Sequence, residues 1–204
     1  NLDFAAFETQ FLDPNSAGAQ ADRYLPELGK LLGLNGATND HIWKQFQLLP
    51  EEQQDALALD IFYLVLRNSG RDRNDPASLN FGRFDDGFAA IVALFPESVN
   101  WHGDISLTSR EIKTRNGGNI GIFAPGGQLT VGLTVGQNAL DQGILTEHGG
   151  NISIFTHNNV NVGTSRIFTL RGGNEIIWSS AGDIAAGASS KTVTSAPPTR
   201  VLID

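Results

Sequence analysis

Three stretches of this chain repeat one phrase: GGNIGIF (residues 117–123), GGNISIF (149–155) and GGNEIIW (172–178). Each joins a glycine pair that tolerates positive φ to an asparagine and a short β-rich run, which is how a corner followed by a strand is written. The copies start 32 and then 23 residues apart. Gly118 and Gly127 lie nine residues apart, each opening a strand, and the same interval separates Gly150 from Asn159 and Gly173 from Gly182. A unit of roughly twenty residues made of short strands with Gly and Asn corners predicts a β-solenoid whose coils stack in parallel. An antiparallel sandwich uses similar strands and stands as the alternative. The longer interval predicts one coil with an insertion, TVGQNALDQG (134–143).

Stacking assigns roles to the repeated positions. Ile120 and Ile152 fall in one interior column, while Asn119, Asn151 and Asn174 form a structural ladder at a corner, their side chains bonding from coil to coil. Phe123, Phe155 and Trp178 end the three strands at matching positions. That row is a candidate binding surface for sugar rings, or a stripe covered by the helical half; covering is the expectation, because an exposed aromatic stripe invites association. The third copy places Glu175 where its sisters have isoleucine. In their register Glu175 points inward, where burial raises a carboxyl pKa unless Arg115, Arg166 or Arg171 reaches it. A slip by one residue turns it outward and sends Ile176 and Trp178 inward; the slip, or a bulge, is the expectation.

Before residue 97 the period is different. Apolar residues recur at three and four, which predicts helices. In TNDHIWKQFQLLP (38–50) an N-cap cluster precedes Ile42, Phe46 and Leu49 on one face. The next run opens at Pro50, a first-turn residue, with Glu51 and Glu52 at the positive end of the dipole, and Gly70 suits a left-handed C-terminal position. Its hydrocarbon surrounds the helix, which places it centrally in a bundle. NLDFAAFETQFL (1–12), AGAQADRYLPELGKLLG (17–33, interrupted by Pro26) and the run from Asp85 to Phe95 are three more helices, and RDRNDPASLN (71–80) is a solvated connector. The reading is a mixed fold: an α-helical domain over 1–96, inserted in the solenoid or packed beside it, and an all-β parallel solenoid over 97–204 of roughly four to five coils.

Composition excludes some functions. With 14 Lys and Arg against 22 Asp and Glu the net charge is −8, so a nucleic-acid or anionic-lipid surface is not expected. The absence of Cys removes disulfides, thiolate metal sites and a cysteine nucleophile. No run approaches a membrane span of about 20 apolar residues. The chain begins with Asn1 and has no Met, which points to processing or to a fragment of a longer protein, with any export signal upstream.

The stretch from Gly143 to Asp204, with its SRIFTLRGG, IWSSAGDIAAG and SAPP elements, resembles the filamentous-haemagglutinin-like exoproteins, bacterial adhesins exported by two-partner secretion. The segment LPEEQQDALALDIFYLVLR (49–67) is similar to one that precedes it, more weakly. The resemblance implies a right-handed parallel β-helix, secretion or cell-surface attachment, an outer-membrane transporter partner during export, a role in cell adhesion and virulence, and a surface protein or glycan as ligand. Glu175 departs from the family's aliphatic pattern.

Parallel β-helices also carry polysaccharide lyases and glycosidases, so a glycan-active enzyme using Glu147 or Glu175 is the alternative. A glycosidase sets two carboxyl groups roughly 5 Å, or 6.5 to 9.5 Å, apart. The acidic residues of the β half do not recur at equivalent positions, apart from the corner pair Asp104 and Asp183. Glu147 and His148 are adjacent, and neighbours on a strand diverge unless they sit in a turn. His41, His102, His148 and His157 have no ligand spacing, so no metal, cofactor or catalytic residue is expected. A helical half that binds protein is a further alternative. Open strand edges predict end-to-end self-association.

Overall fold

The structure is a computed structural model, and it describes residues 1–108, 110–132 and 143–186. The chain divides into two compact units, Asn1–Asn100 and Trp101–Asp204. The sequence placed the change four residues earlier, at Pro96.

The first unit has five helices: α1 (Phe4–Phe11), α2 (Ala21–Leu31), α3 (Asn39–Gln47), α4 (Glu51–Gly70) and α5 (Phe84–Leu94). The capping chemistry sets several of their ends. Asp3 accepts from the Ala6 amide at 3.0 Å and Thr38 from the His41 amide at 3.4 Å, each satisfying a first-turn N–H. Pro50 precedes α4, with Glu51 and Glu52 in its first turn. The left-handed residue after α4 is Asp72, at φ 56°, rather than Gly70, which stays helical. Pro26 lies inside α2 and does not divide it. Its ring is exposed, while Tyr24, Leu25 and Leu28 are buried on the opposite side, and their burial offsets a proline cost of about 3 kcal/mol.

Helix α4 is central, as its all-round hydrocarbon predicts, with Ile61, Phe62, Val65 and Leu66 fully or almost fully buried. Phe62 meets Phe7, Tyr63 and Phe95 edge-on, with ring centroids 6.0, 5.4 and 5.8 Å apart. Gly29 lets α2 approach α3: a Cβ there would stand 2.7 Å from Ile42 Cδ1.

The second unit contains ten short strands: β1 (Ile105–Ser106), β2 (Glu111–Thr114), β3 (Ile120–Ala124), β4 (Leu129–Thr130), β5 (Gly143–Thr146), β6 (Ile152–Thr156), β7 (Val160–Asn161), β8 (Ile167–Thr169), β9 (Glu175–Ser179) and β10 (Ile184–Ala185). They form three sheets, in the orders β1-β4-β7-β10, β2-β5-β8 and β3-β6-β9. All seven pairings are parallel, and sequence neighbours never pair, so the antiparallel alternative is overturned. The chain visits each sheet once per repeat and returns one strand further along. Ile120, Leu129, Ile144, Ile152, Ile154 and Val160 belong to the buried cluster that the sheets share.

The sequence reading located two strands per repeat, and the structure has three. Strands β2 and β5 went unrecognised because Glu111 and Lys113 flank the single aliphatic Ile112, while β5 begins on a glycine. The extra length of the second repeat lies between β4 and β5. Leu129 to Ile144 spans 15 positions, against 7 from Ile105 to Ile112 and 7 from Val160 to Ile167. Of the insertion expected at 134–143, only Gly143, the first residue of β5, is among the described residues.

Candidate functional site: the stacked glycine-asparagine corners

The most organised feature of the second unit is the corner between sheets two and three. The side-chain oxygen of Asn119 accepts from the Asn151 amide at 2.9 Å, and that of Asn151 accepts from the Asn174 amide at 2.9 Å. The asparagines therefore stack one repeat apart, each satisfying a backbone donor that a corner leaves without a strand partner. The second glycine of each pair is fixed by two constraints. Gly150 and Gly173 have φ of 99° and 111°, and a Cβ on them would lie 2.2 Å from the Gly118 oxygen and 2.1 Å from the Gly150 oxygen.

A third member of this corner was missed. Thr114, Thr146 and Thr169 each donate through Oγ1 to the carbonyl of the second glycine, four residues on, at 3.2, 3.1 and 3.5 Å. The signal was present as T-x-x-G-G-N in TRNGGN, TEHGGN and TLRGGN. Threonine hides there because it is also an ordinary strand residue.

At the next corner, Asp104 accepts from the Gln128 amide at 3.0 Å and from its side chain at 3.2 Å, and Asn159 accepts from the Asp183 amide at 2.8 Å. The nine-residue interval fails here. The register Leu129↔Val160↔Ile184 makes Asn158, not Asn159, the equivalent of Gly127 and Gly182, because the second repeat's corner is one residue shorter.

Glu175 keeps its sisters' register: Ile120↔Ile152↔Glu175, Ile122↔Ile154↔Ile177 and Phe123↔Phe155↔Trp178. The expected slip and bulge are both overturned. The carboxylate escapes burial because it sits in the last strand of its sheet, where it is exposed and accepts from the Thr169 amide at 2.9 Å. No arginine is needed to neutralise it.

The aromatic row is in register but offers little surface. Phe155 is 1% exposed and Trp178 8%, with Phe123 half-buried, so these side chains are core rather than a platform for sugar rings. The Trp178 indole N–H donates to Ser180 Oγ at 3.2 Å.

Glu147 and His148 sit in a turn and part company. Glu147 lies 3.3 Å from the Lys113 ammonium, which also meets Glu111 at 3.0 Å. The Glu111 hydrogen bond, then that of Glu147, holds Lys113 above its usual range. His148 Nδ1 lies 2.6 Å from the Arg115 carbonyl, one repeat earlier. Both residues thus tie the second repeat to the first. Among the described residues no cluster of three His, Asp or Glu side chains is placed to hold a metal, and no helix is long and apolar enough to cross a membrane.

Comparison with protein-family models, curated proteins and solved structures finds no match to this chain.

Proposed function

We propose that Trp101–Asp204 is a segment of a right-handed parallel β-helix serving as a rod scaffold in a large secreted or surface-attached bacterial adhesin of the filamentous-haemagglutinin-like kind. The observation that carries this reading is the register: in all three sheets each strand pairs in parallel with its counterpart one repeat on, and the asparagine corner repeats with it. Such a stack is stiff, because each repeat is held by backbone ladders and side-chain ladders together. Its role is mechanical and adhesive, its ligand a surface protein or glycan, and an outer-membrane transporter is its partner during export. The engagement of Glu147 with Lys113 and of Glu175 with Thr169 favours structural over catalytic duty for both carboxylates.

A glycan array probed with the full chain tests the reading together with an assay for reducing ends. Binding without turnover is the expected result. Release of reducing ends, abolished by Glu147→Gln or Glu175→Gln, would overturn it in favour of a glycan-active enzyme.

A second reading concerns the helical unit as a protein-binding module. It is favoured by Leu79 and Phe81, which are 90% and 53% exposed on a loop that Arg23 pins through the Leu79 carbonyl at 3.1 Å and the Asn80 side chain. An exposed apolar pair held this firmly is a contact surface in waiting. Retention of the wild-type chain, but not of Leu79→Ser/Phe81→Ser, on a candidate surface protein would support it.

A further inference from the structure

Sheet two ends on β8, and the direction of its free edge follows from its bonds to β5. The Ile144 amide donates to the Arg166 carbonyl at 2.9 Å and the Leu170 amide to the Thr146 carbonyl at 2.7 Å. In a parallel ladder alternate residues of a strand serve alternate edges. With Ile144↔Ile167 and Thr146↔Thr169 in register, the groups of Arg166, Phe168 and Leu170 face β5, and the Thr169 N–H faces away from it. In the preceding repeat the N–H of Thr146, the counterpart of Thr169, faces β8 and belongs to the ladder. In the last repeat the carboxylate of Glu175 takes that bond, reaching back six residues to the Thr169 amide at 2.9 Å.

The same side chain interrupts the interior column. Ile120 is 7% exposed and Ile152 fully buried, whereas Glu175, the next in the column, is exposed beside the half-buried Ile167 and Ile177. A further repeat laid on this end would bury that carboxylate against hydrocarbon and take away its bond to Thr169. Burying an uncompensated charge is among the largest single penalties a stacking interface can carry.

We propose that Glu175 is an edge stop, which closes the third repeat against strand addition from a second copy of the chain. The occupant it excludes is defined by the sheet order. Among the described residues β2 and β8 are the two edges of one sheet, so β2 of a second copy can extend β8 in the parallel sense already used by β2-β5 and β5-β8. That pairing is head-to-tail and does not close, which leads to filaments. It would set Glu175 against Ile120 of the incoming copy, continuing the column. One carboxylate thereby opposes the end-to-end association that open edges alone predict. This inference rests on the register and not on the adhesive role.

The experiment uses the full chain, with sedimentation velocity over about a hundredfold range of concentration and amide exchange at its dilute end. Wild type is expected to stay monomeric with the Thr169 amide protected. Glu175→Ile, checked as folded by circular dichroism, is expected to form concentration-dependent oligomers and, when dilute, to exchange at Thr169 at least about tenfold faster. Glu175→Gln retains an acceptor oxygen and is expected to exchange at Thr169 within about threefold of wild type. A folded Glu175→Ile that stays monomeric, a wild type that associates equally, or a glutamine variant that exchanges as fast as the isoleucine one would each overturn the proposal.

Discussion

The two units of this chain solve one problem, burying enough hydrocarbon, in different ways. In the helical unit the core is a set of unlike contacts: Phe7 stacks on Phe11 at 4.9 Å, Phe11 meets Tyr24 edge-on at 5.9 Å, and Phe62 touches three other rings. No position is the equivalent of another, and each side chain is irreplaceable for its own shape. In the stranded unit the core is a few positions used repeatedly, such as the column Ile122, Ile154, Ile177. There the backbone at the corners is the demanding part. The helical unit should therefore be most sensitive to lost volume, and the stranded unit to an added Cβ.

The sharpest way to break this contrast is a pair of opposite substitutions. Phe62→Ala removes a ring that is 0% exposed and is expected to cost the helical unit about 3 to 5 kcal/mol. Gly150→Ala adds one carbon at φ 99° and 2.2 Å from the Gly118 carbonyl. It combines left-handed strain of about 1 to 3 kcal/mol with overpacking of similar size, so it is expected to cost the stranded unit about 2 to 5 kcal/mol. Chemical denaturation followed by amide exchange in each unit reads both. A Gly150→Ala chain as stable as wild type would show that the corners yield, and the contrast would fail.

The difference also decides what was legible in the sequence. The helices were readable because their signals are local: Thr38 caps, Pro50 stops, and Phe46 and Ile42 face one way. Gly70 misled because glycine permits a left-handed cap without requiring one, and Asp72 took the position. The strands were readable only through comparison of repeats, which works where glycine and asparagine mark the corner. It failed at β2 and β5, whose neighbours are Glu111, Lys113 and Gly143, and at Asn159, where a corner shortened by one residue shifted the count. For Glu175 the mistake was physical. An inward register was equated with burial, whereas the last strand of a stack has its inner face covered on one side only.

The helical unit carries a pH dependence with no counterpart among the corners. Burial, assisted by the nearby Asp55 carboxylate, pushes the half-buried Glu8 up to about 7. A carboxyl group whose folded pKa lies above its unfolded one binds its proton more tightly when folded. Stability is then greatest below about pH 4.5 and falls as pH rises toward about 7, where the loss is complete. With solvent screening the span is about 1 to 3 kcal/mol. Glu8→Gln is expected to flatten this part of the profile, raising the stability of the unit at pH 8 relative to wild type. A profile unchanged by Glu8→Gln would assign the dependence elsewhere.

The smallest expected effect tests whether a corner ladder is a structural element or an ornament. Asn151 sits in the middle of its ladder, accepting from Asn174 while its own amide donates to Asn119. Asn151→Ala leaves its amide paired and deprives only the Asn174 amide of a partner. Because Asn174 is exposed, water can replace that acceptor, and the expected cost is about 0.5 to 1.5 kcal/mol. Asn119→Ala removes the equivalent bond one repeat earlier, to an amide on a residue that is less exposed, and should cost more than Asn151→Ala. If the ladder acts as a unit, the double variant will lose more than the sum of the two; if each asparagine only caps the next amide, the losses will add. Additivity would reduce the ladder to three independent caps and leave the stacking of the stranded unit to its backbone and its isoleucines.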